Sequence, residues 1–125
     1  MKENTIQDEI PNSLSKNEQD VVKAIVSTLR VLGDDFVIAV EAQFDDVYRL
    51  SFKDASIIEH PDKFAEAIQY AFRTSADLIM TDINMKLAEL LSLDLRVNAE
   101  LIESGSYGLV SLMSKIKKDI LTIEY

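Results

Sequence analysis

The side chains able to do chemistry are few, and no reaction uses them in this spacing. His60 is the only histidine in the chain. A free imidazole titrates near pH 6.5 and can act as acid or base at neutral pH. Here it lacks the local serine and aspartate arrangement of a triad, and directly before Pro61 it reads as a residue at a helix entrance. With no cysteine and one histidine, the chain has neither a thiolate nucleophile nor the donors of a Cys/His metal site. Carboxylates stand in adjacent pairs at Asp8-Glu9, Asp34-Asp35 and Asp45-Asp46. A calcium loop needs oxygen ligands at alternating positions, a central glycine and a closing glutamate, which none of these segments has. Asp34-Asp35 and Asp45-Asp46 are read as turn residues, which aspartate favours because it bonds its own backbone. No enzyme activity, metal or cofactor is expected.

Cations offer a second kind of chemistry. Lys115, Lys117 and Lys118 are the one tight basic cluster in the sequence. Such a cluster can contact phosphate, because nucleic-acid affinity rests largely on cations placed along one surface. It can equally neutralise a helix C-terminus, where each cation is worth roughly 0.3–1 kcal/mol. Lys23, Arg30, Arg49, Lys53 and Arg73 would extend a phosphate-binding surface if they shared a face with the cluster. The whole chain opposes this, with 13 Lys+Arg against 22 Asp+Glu and a net charge of −9.

The elements that position these residues follow from hydrophobic period. In 125 residues there is room for about one domain. Residues 1–16 are polar, carry no apolar period and no secretory h-region, and are expected to form a flexible leader to a single domain at 17–125. No apolar run approaches the roughly 20 residues of a membrane span, so a cytoplasmic protein without membrane attachment is expected. Val21, Val22, Ile25, Val26, Leu29 and Leu32 predict an amphipathic helix over 17–32, stopped by Gly33. The period then drops to two. Phe36, Ile38, Val40, Ala42 and Phe44 share one face, Asp45-Asp46 marks a turn, and Tyr48, Leu50 and Phe52 alternate after it. This predicts an antiparallel β-hairpin and places the chain in the α+β class.

Pro61 suits a first helical position, and no Gly or Pro interrupts 61–93, so one helix of about 50 Å is predicted there. Its stripe includes Phe64, Ile68, Phe72, Ile79, Ile83 and Leu87. A helix that long outruns one hairpin. It therefore needs a partner subunit or the C-terminal helix, and a homodimer is expected. Its interface would use that stripe together with Phe36, Ile38 and Val40 of a shared sheet. Residues 94–103 fit a short helix or a connector, and Gly105 and Gly108 mark a break. Leu109, Leu112, Met113, Ile116, Ile120 and Leu121 predict a final amphipathic helix.

From Asp35 to Leu91 the chain resembles the YbaB/EbfC family of small bacterial nucleoid-associated proteins. The resemblance lies in Phe36-Val37-Ile38-Ala39-Val40-Glu41-Ala42, in Val47-Tyr48-Arg49-Leu50-Ser51-Phe52-Lys53-Asp54, and in Ile57-Ile58-Glu59-His60-Pro61-Asp62-Lys63 leading to Phe64-Ala65-Glu66-Ala67-Ile68-Gln69-Tyr70-Ala71-Phe72. It implies an acidic homodimer with a shared sheet and projecting helices, binding double-stranded DNA with little sequence preference and without catalysis. Basic side chains would hold the DNA, here Lys23, Arg30, Arg49, Arg73, Lys115, Lys117 and Lys118. The sequence departs from the family in its short aliphatic first helix, in Asp34-Asp35 where glycine is expected, and in the segment after Asp94. A second expectation stands beside it: an acidic dimeric protein-binding module, of secretion-chaperone or adaptor type, without DNA binding. Basic residues sharing one face would mark the first; an exposed apolar groove would mark the second.

Overall fold

Val22, Ile25 and Leu29 step by three and four along the first helix beside Val21, and all four are buried. In a computed structural model, which describes residues 16–52 and 56–121, they line α1 (Lys16–Leu32). Residues 1–15, nearly all of the expected leader, lie outside the described residues. Gly33 ends α1 with φ at 139°, a backbone setting that glycine adopts without strain. Its N–H donates to the Arg30 carbonyl at 3.0 Å, and its carbonyl accepts from Phe36 N–H at 3.0 Å. Gly33 thus joins two helices.

The expected hairpin is not formed. Residues 34–48 are α2 (Asp34–Tyr48), and among the described residues there is no strand, so the α+β assignment is corrected to an all-helical fold. Val37, Val40 and Phe44 are the buried face, at helical steps, while Ile38 is 62% exposed. Phe-Val-Ile-Ala-Val is nearly continuous in apolar residues, so it satisfies a period of two and a period of 3.6 alike. Valine, isoleucine and phenylalanine favour strands only where a pleated surface awaits them, and here the neighbours are helices. Asp34 and Asp35 occupy the first turn of α2, where the dipole favours carboxylates. Asp45 and Asp46 lie in its last turns rather than in a hairpin turn.

The second correction concerns 61–93. After the short α3 (Ser56–Glu59), α4 runs from Pro61 to Phe72. A 3₁₀ turn at Arg73–Ser75 then separates it from α5 (Ala76–Leu90), with Arg73 at φ 52°, ψ −112°. No breaker residue marks this point. The break lets α4 and α5 pack on one another, and it places α5 between α1 and α7. Asp94 then turns the chain, accepting Arg96 N–H at 2.9 Å and Val97 N–H at 3.1 Å on its Oδ1. The short α6 (Ala99–Ile102) and α7 (Ser106–Asp119) complete the chain.

Five helices close a ring of contacts in the order α1, α2, α4, α7, α5 and back to α1. The core they enclose includes Ile25, Leu29, Phe44, Phe64, Ile68, Met80, Ile83, Leu87, Leu109 and Leu112, each less than 2% exposed. No described helix is long and apolar enough to cross a membrane.

Candidate functional site

α2 presents two faces of opposite character. Inward are Val37, Val40 and Phe44; outward, at i, i+3, i+4 and i+7, are Ile38, Glu41, Ala42 and Asp45. α2 carries Asp34, Asp35, Glu41, Asp45 and Asp46 and no lysine or arginine, so this one helix holds more than half of the chain's net charge of −9.

The chain leaves α2 through Arg49, whose φ of 57° turns it back on itself, with Leu50 N–H bonded to the Phe44 carbonyl at 3.2 Å. Leu50 and Ser51 therefore lie beside the outer face of α2. Together with Ile38, Glu41, Ala42 and Asp45 they line an open groove of about 390 Å³. Its apolar surface comes from Ile38, Ala42 and Leu50. Its carboxylates, Glu41 and Asp45, form no ion pair with a described residue.

Two sets of contacts hold the groove in place. Phe52, 5% exposed, inserts beside Phe44 and Phe64, the three ring centroids lying 5.7–5.8 Å apart. Edge-on and tilted aromatic contacts of this kind add about 0.5–1.5 kcal/mol per pair beyond their buried area. At the end of α2 the Tyr48 hydroxyl donates to Glu66 of α4, and the Lys63 ammonium lies 5.3 Å from the Tyr48 ring centroid. Chiefly because of the bond to Glu66, and secondarily through desolvation, Tyr48 is pushed up to about 12. At the other end Phe36 stacks on Phe72 at 4.8 Å. α2 and α4 are thus tied antiparallel at both ends.

A smaller groove of about 220 Å³ lies between α1 and α5, where Val31, Leu32 and Met85 meet Asp82, Lys86 and Glu89. Its charges are of both signs, and Lys86 Nζ is 3.5 Å from Glu89.

The residues expected at a DNA surface stand on four separate elements. Lys23 and Arg30 are on α1, Arg49 ends α2, Arg73 is in the α4–α5 turn, and Lys115, Lys117 and Lys118 are on α7. Arg30 Nε lies 3.7 Å from Asp34, and Lys117 Nζ lies 3.6 Å from Glu59 on α3, so two of the cations face carboxylates. Of the residues expected at a dimer interface, Val40, Phe64, Ile68, Ile79, Ile83 and Leu87 are buried within the chain itself. Phe36 and Phe72 are half-buried against each other, and Ile38 alone of the set is largely exposed. The expected partner subunit would cover a helix of about 50 Å that outruns one hairpin, and the described residues form neither element.

His60 is exposed at the entrance to α4, its carbonyl accepting Phe64 N–H at 3.1 Å. Among the described residues no group of three His, Asp or Glu side chains could hold a metal ion.

Asn84 was not legible as important from the sequence. It is fully buried on α5, and its Nδ2 donates to the Ile102 carbonyl at 3.0 Å and the Gly105 carbonyl at 3.1 Å. Its Oδ1 has no partner. The available signal was position: Asn84 falls on the same helical face as Met80, Leu87 and Ala88, where a polar group needs a bonding reason. The role is to tie the α6–α7 connection to α5.

No protein-family model, no curated protein and no solved structure matches this chain.

Proposed function

We propose that the chain is a cytoplasmic, non-catalytic protein-binding module of adaptor or chaperone type, with the outer groove of α2 as its contact surface. One observation carries this reading: an apolar groove rimmed by Glu41 and Asp45 on the helix that holds most of the net negative charge. Apolar concavities framed by a few fixed polar groups are the common form of a recognition groove. Polyanionic DNA would be repelled by that face, and Arg30 and Lys117 already have acidic neighbours.

Two experiments test the proposal together. Labelled duplex DNA, titrated with the protein from low to physiological salt, should show no binding. Cross-linking and mass spectrometry in cell extract should identify a protein partner whose cross-links vanish in an Ile38→Ser/Ala42→Gln variant of unchanged melting temperature. Sequence-independent DNA binding that falls steeply with salt would overturn the reading, because that dependence signals phosphate contacts. A partner captured equally by the variant would also overturn it, since the groove would then be idle.

A further inference from the structure

The groove has a direction and a charge, and both bear on its occupant. Ile38 and Ala42 follow one another on successive turns of α2, so the apolar floor is a helical ridge, with Leu50 and Ser51 beside it. Extended peptides gain affinity from main-chain bonds to a free strand edge, and among the described residues there is no strand. A helix needs no backbone bonds from its host and docks by apolar residues at i, i+3, i+4 and i+7. Every charged residue in α2 is acidic, and Asp34, Asp35 and Asp46 extend the negative surface beyond the Glu41 and Asp45 rim. The complementary ligand carries Lys or Arg beside its apolar stripe. The α1–α5 groove makes no such selection, because Lys86 stands among its acidic residues.

We infer that the α2 groove takes a cationic amphipathic helix, laid along Ile38 and Ala42 with basic residues against Glu41 and Asp45. This rests on the protein-binding reading above and names the partner's chemistry. The apolar stripe supplies affinity, and the carboxylates supply selection by sign.

The test uses three labelled probes on the full-length protein at physiological salt, where the Debye length is about 8 Å and diffuse attraction is damped. The first is a 16-residue peptide of leucine and lysine with helical spacing. The second replaces its lysines with glutamates, and the third scrambles the first so that no apolar stripe forms. The helical Leu/Lys peptide should bind, with amide chemical-shift changes centred on Ile38, Ala42, Asp45 and Leu50. Ile38→Ser should weaken it more than tenfold, the scale of one lost aliphatic contact. Glu41→Gln/Asp45→Asn should weaken it about tenfold, two exposed ion pairs' worth. The inference is overturned if the scrambled peptide binds equally well, if the shifts map to the α1–α5 groove, or if neither variant changes the affinity. No peptide binding at all, with protein cross-links still dependent on Ile38, would overturn this inference and leave the groove as the contact surface. Cross-links independent of Ile38 would overturn the underlying reading instead.

Discussion

Gly108→Ala sets helix propensity against packing, and the structure decides the sign. Gly108 is the third residue of α7 and is buried. On propensity alone, alanine should stabilise a helix by about 1 kcal/mol over glycine. A Cβ at this position, however, would sit 2.2 Å from the Leu101 backbone carbonyl oxygen and 2.8 Å from both Asn84 Nδ2 and Ser104 Oγ. Two of these are side-chain atoms that can adjust; the Leu101 oxygen is backbone and cannot. Reaching ordinary contact requires α7 to move by about 1 Å away from α6, a displacement that overpacked sites tolerate at roughly 1–3 kcal/mol. The same movement pulls Gly105 from Asn84, whose other bond to Ile102 stays, and one buried amide N–H left without its acceptor costs about 1–3 kcal/mol more. Subtracting the propensity gain leaves a net destabilisation of roughly 1–5 kcal/mol. For a chain of this length that lowers the melting temperature by about 4–20 °C. Urea and thermal unfolding followed by far-UV circular dichroism would measure it. Gly105→Ala is the comparison: its φ of 63° strains any side chain, but its nearest contact, Asp77 Oδ1 at 3.4 Å, is ordinary. With ψ at −131° it should cost about 1–3 kcal/mol, from backbone strain and not from overpacking. A Gly108→Ala protein as stable as wild type would refute the seating of α7 against the Leu101 carbonyl and, with it, the role given to Asn84.

Arg73 at φ 52°, ψ −112° stores strain of about 1–3 kcal/mol, so Arg73→Gly should raise stability by about 1 kcal/mol after the added chain entropy, read as a higher urea midpoint. Phe64→Ala removes the ring that both Phe44 and Phe52 touch, and should cost about 3–5 kcal/mol in the same assay. In an ultraviolet phenolate titration Tyr48 should ionise at about 12, and Glu66→Gln should bring it down toward the ordinary value of about 10. Because the folded value is the higher one, the Tyr48–Glu66 bond contributes fully below about pH 10 and is lost as pH rises through about 12. Tyr48→Phe should remove that part of the alkaline unfolding profile; an unchanged profile would show that the clamp between α2 and α4 contributes nothing there.

Where local signals agreed with one another, the sequence alone was sufficient. The α1 stripe and the Gly33 stop coincide with the helix observed, and Pro61 does open a helix, whereas of the break expected at Gly105 and Gly108 only Gly105 lies outside α7. These segments pair a clear 3.6 period with chemistry suited to their ends. The low cysteine, histidine and glycine content also confined the chemistry from the start. The candidate groove was not legible. Ile38, Ala42 and Leu50 were assigned to the inward faces of strands, and the helix turns the first two outward and brings the third beside them.

What the sequence by itself determined was the set of apolar stripes, the acidic surface and the places where glycine or proline forces a change of direction. Only tertiary packing decided the state of residues 34–48 and the break at Arg73. A nearly continuous apolar run has no local preference strong enough to choose between strand and helix. The choice was made by Phe44 meeting Phe52 and Phe64, residues separated in sequence and joined only when α2 is helical and the chain turns back at Arg49. Nor does any residue at 73–75 forbid a continuous helix. The strain at Arg73 persists because the break seats α5 against α1 and α7 and buries Ile79, Met80, Ile83 and Leu87, a gain that a straight helix of about 50 Å within one chain would forgo.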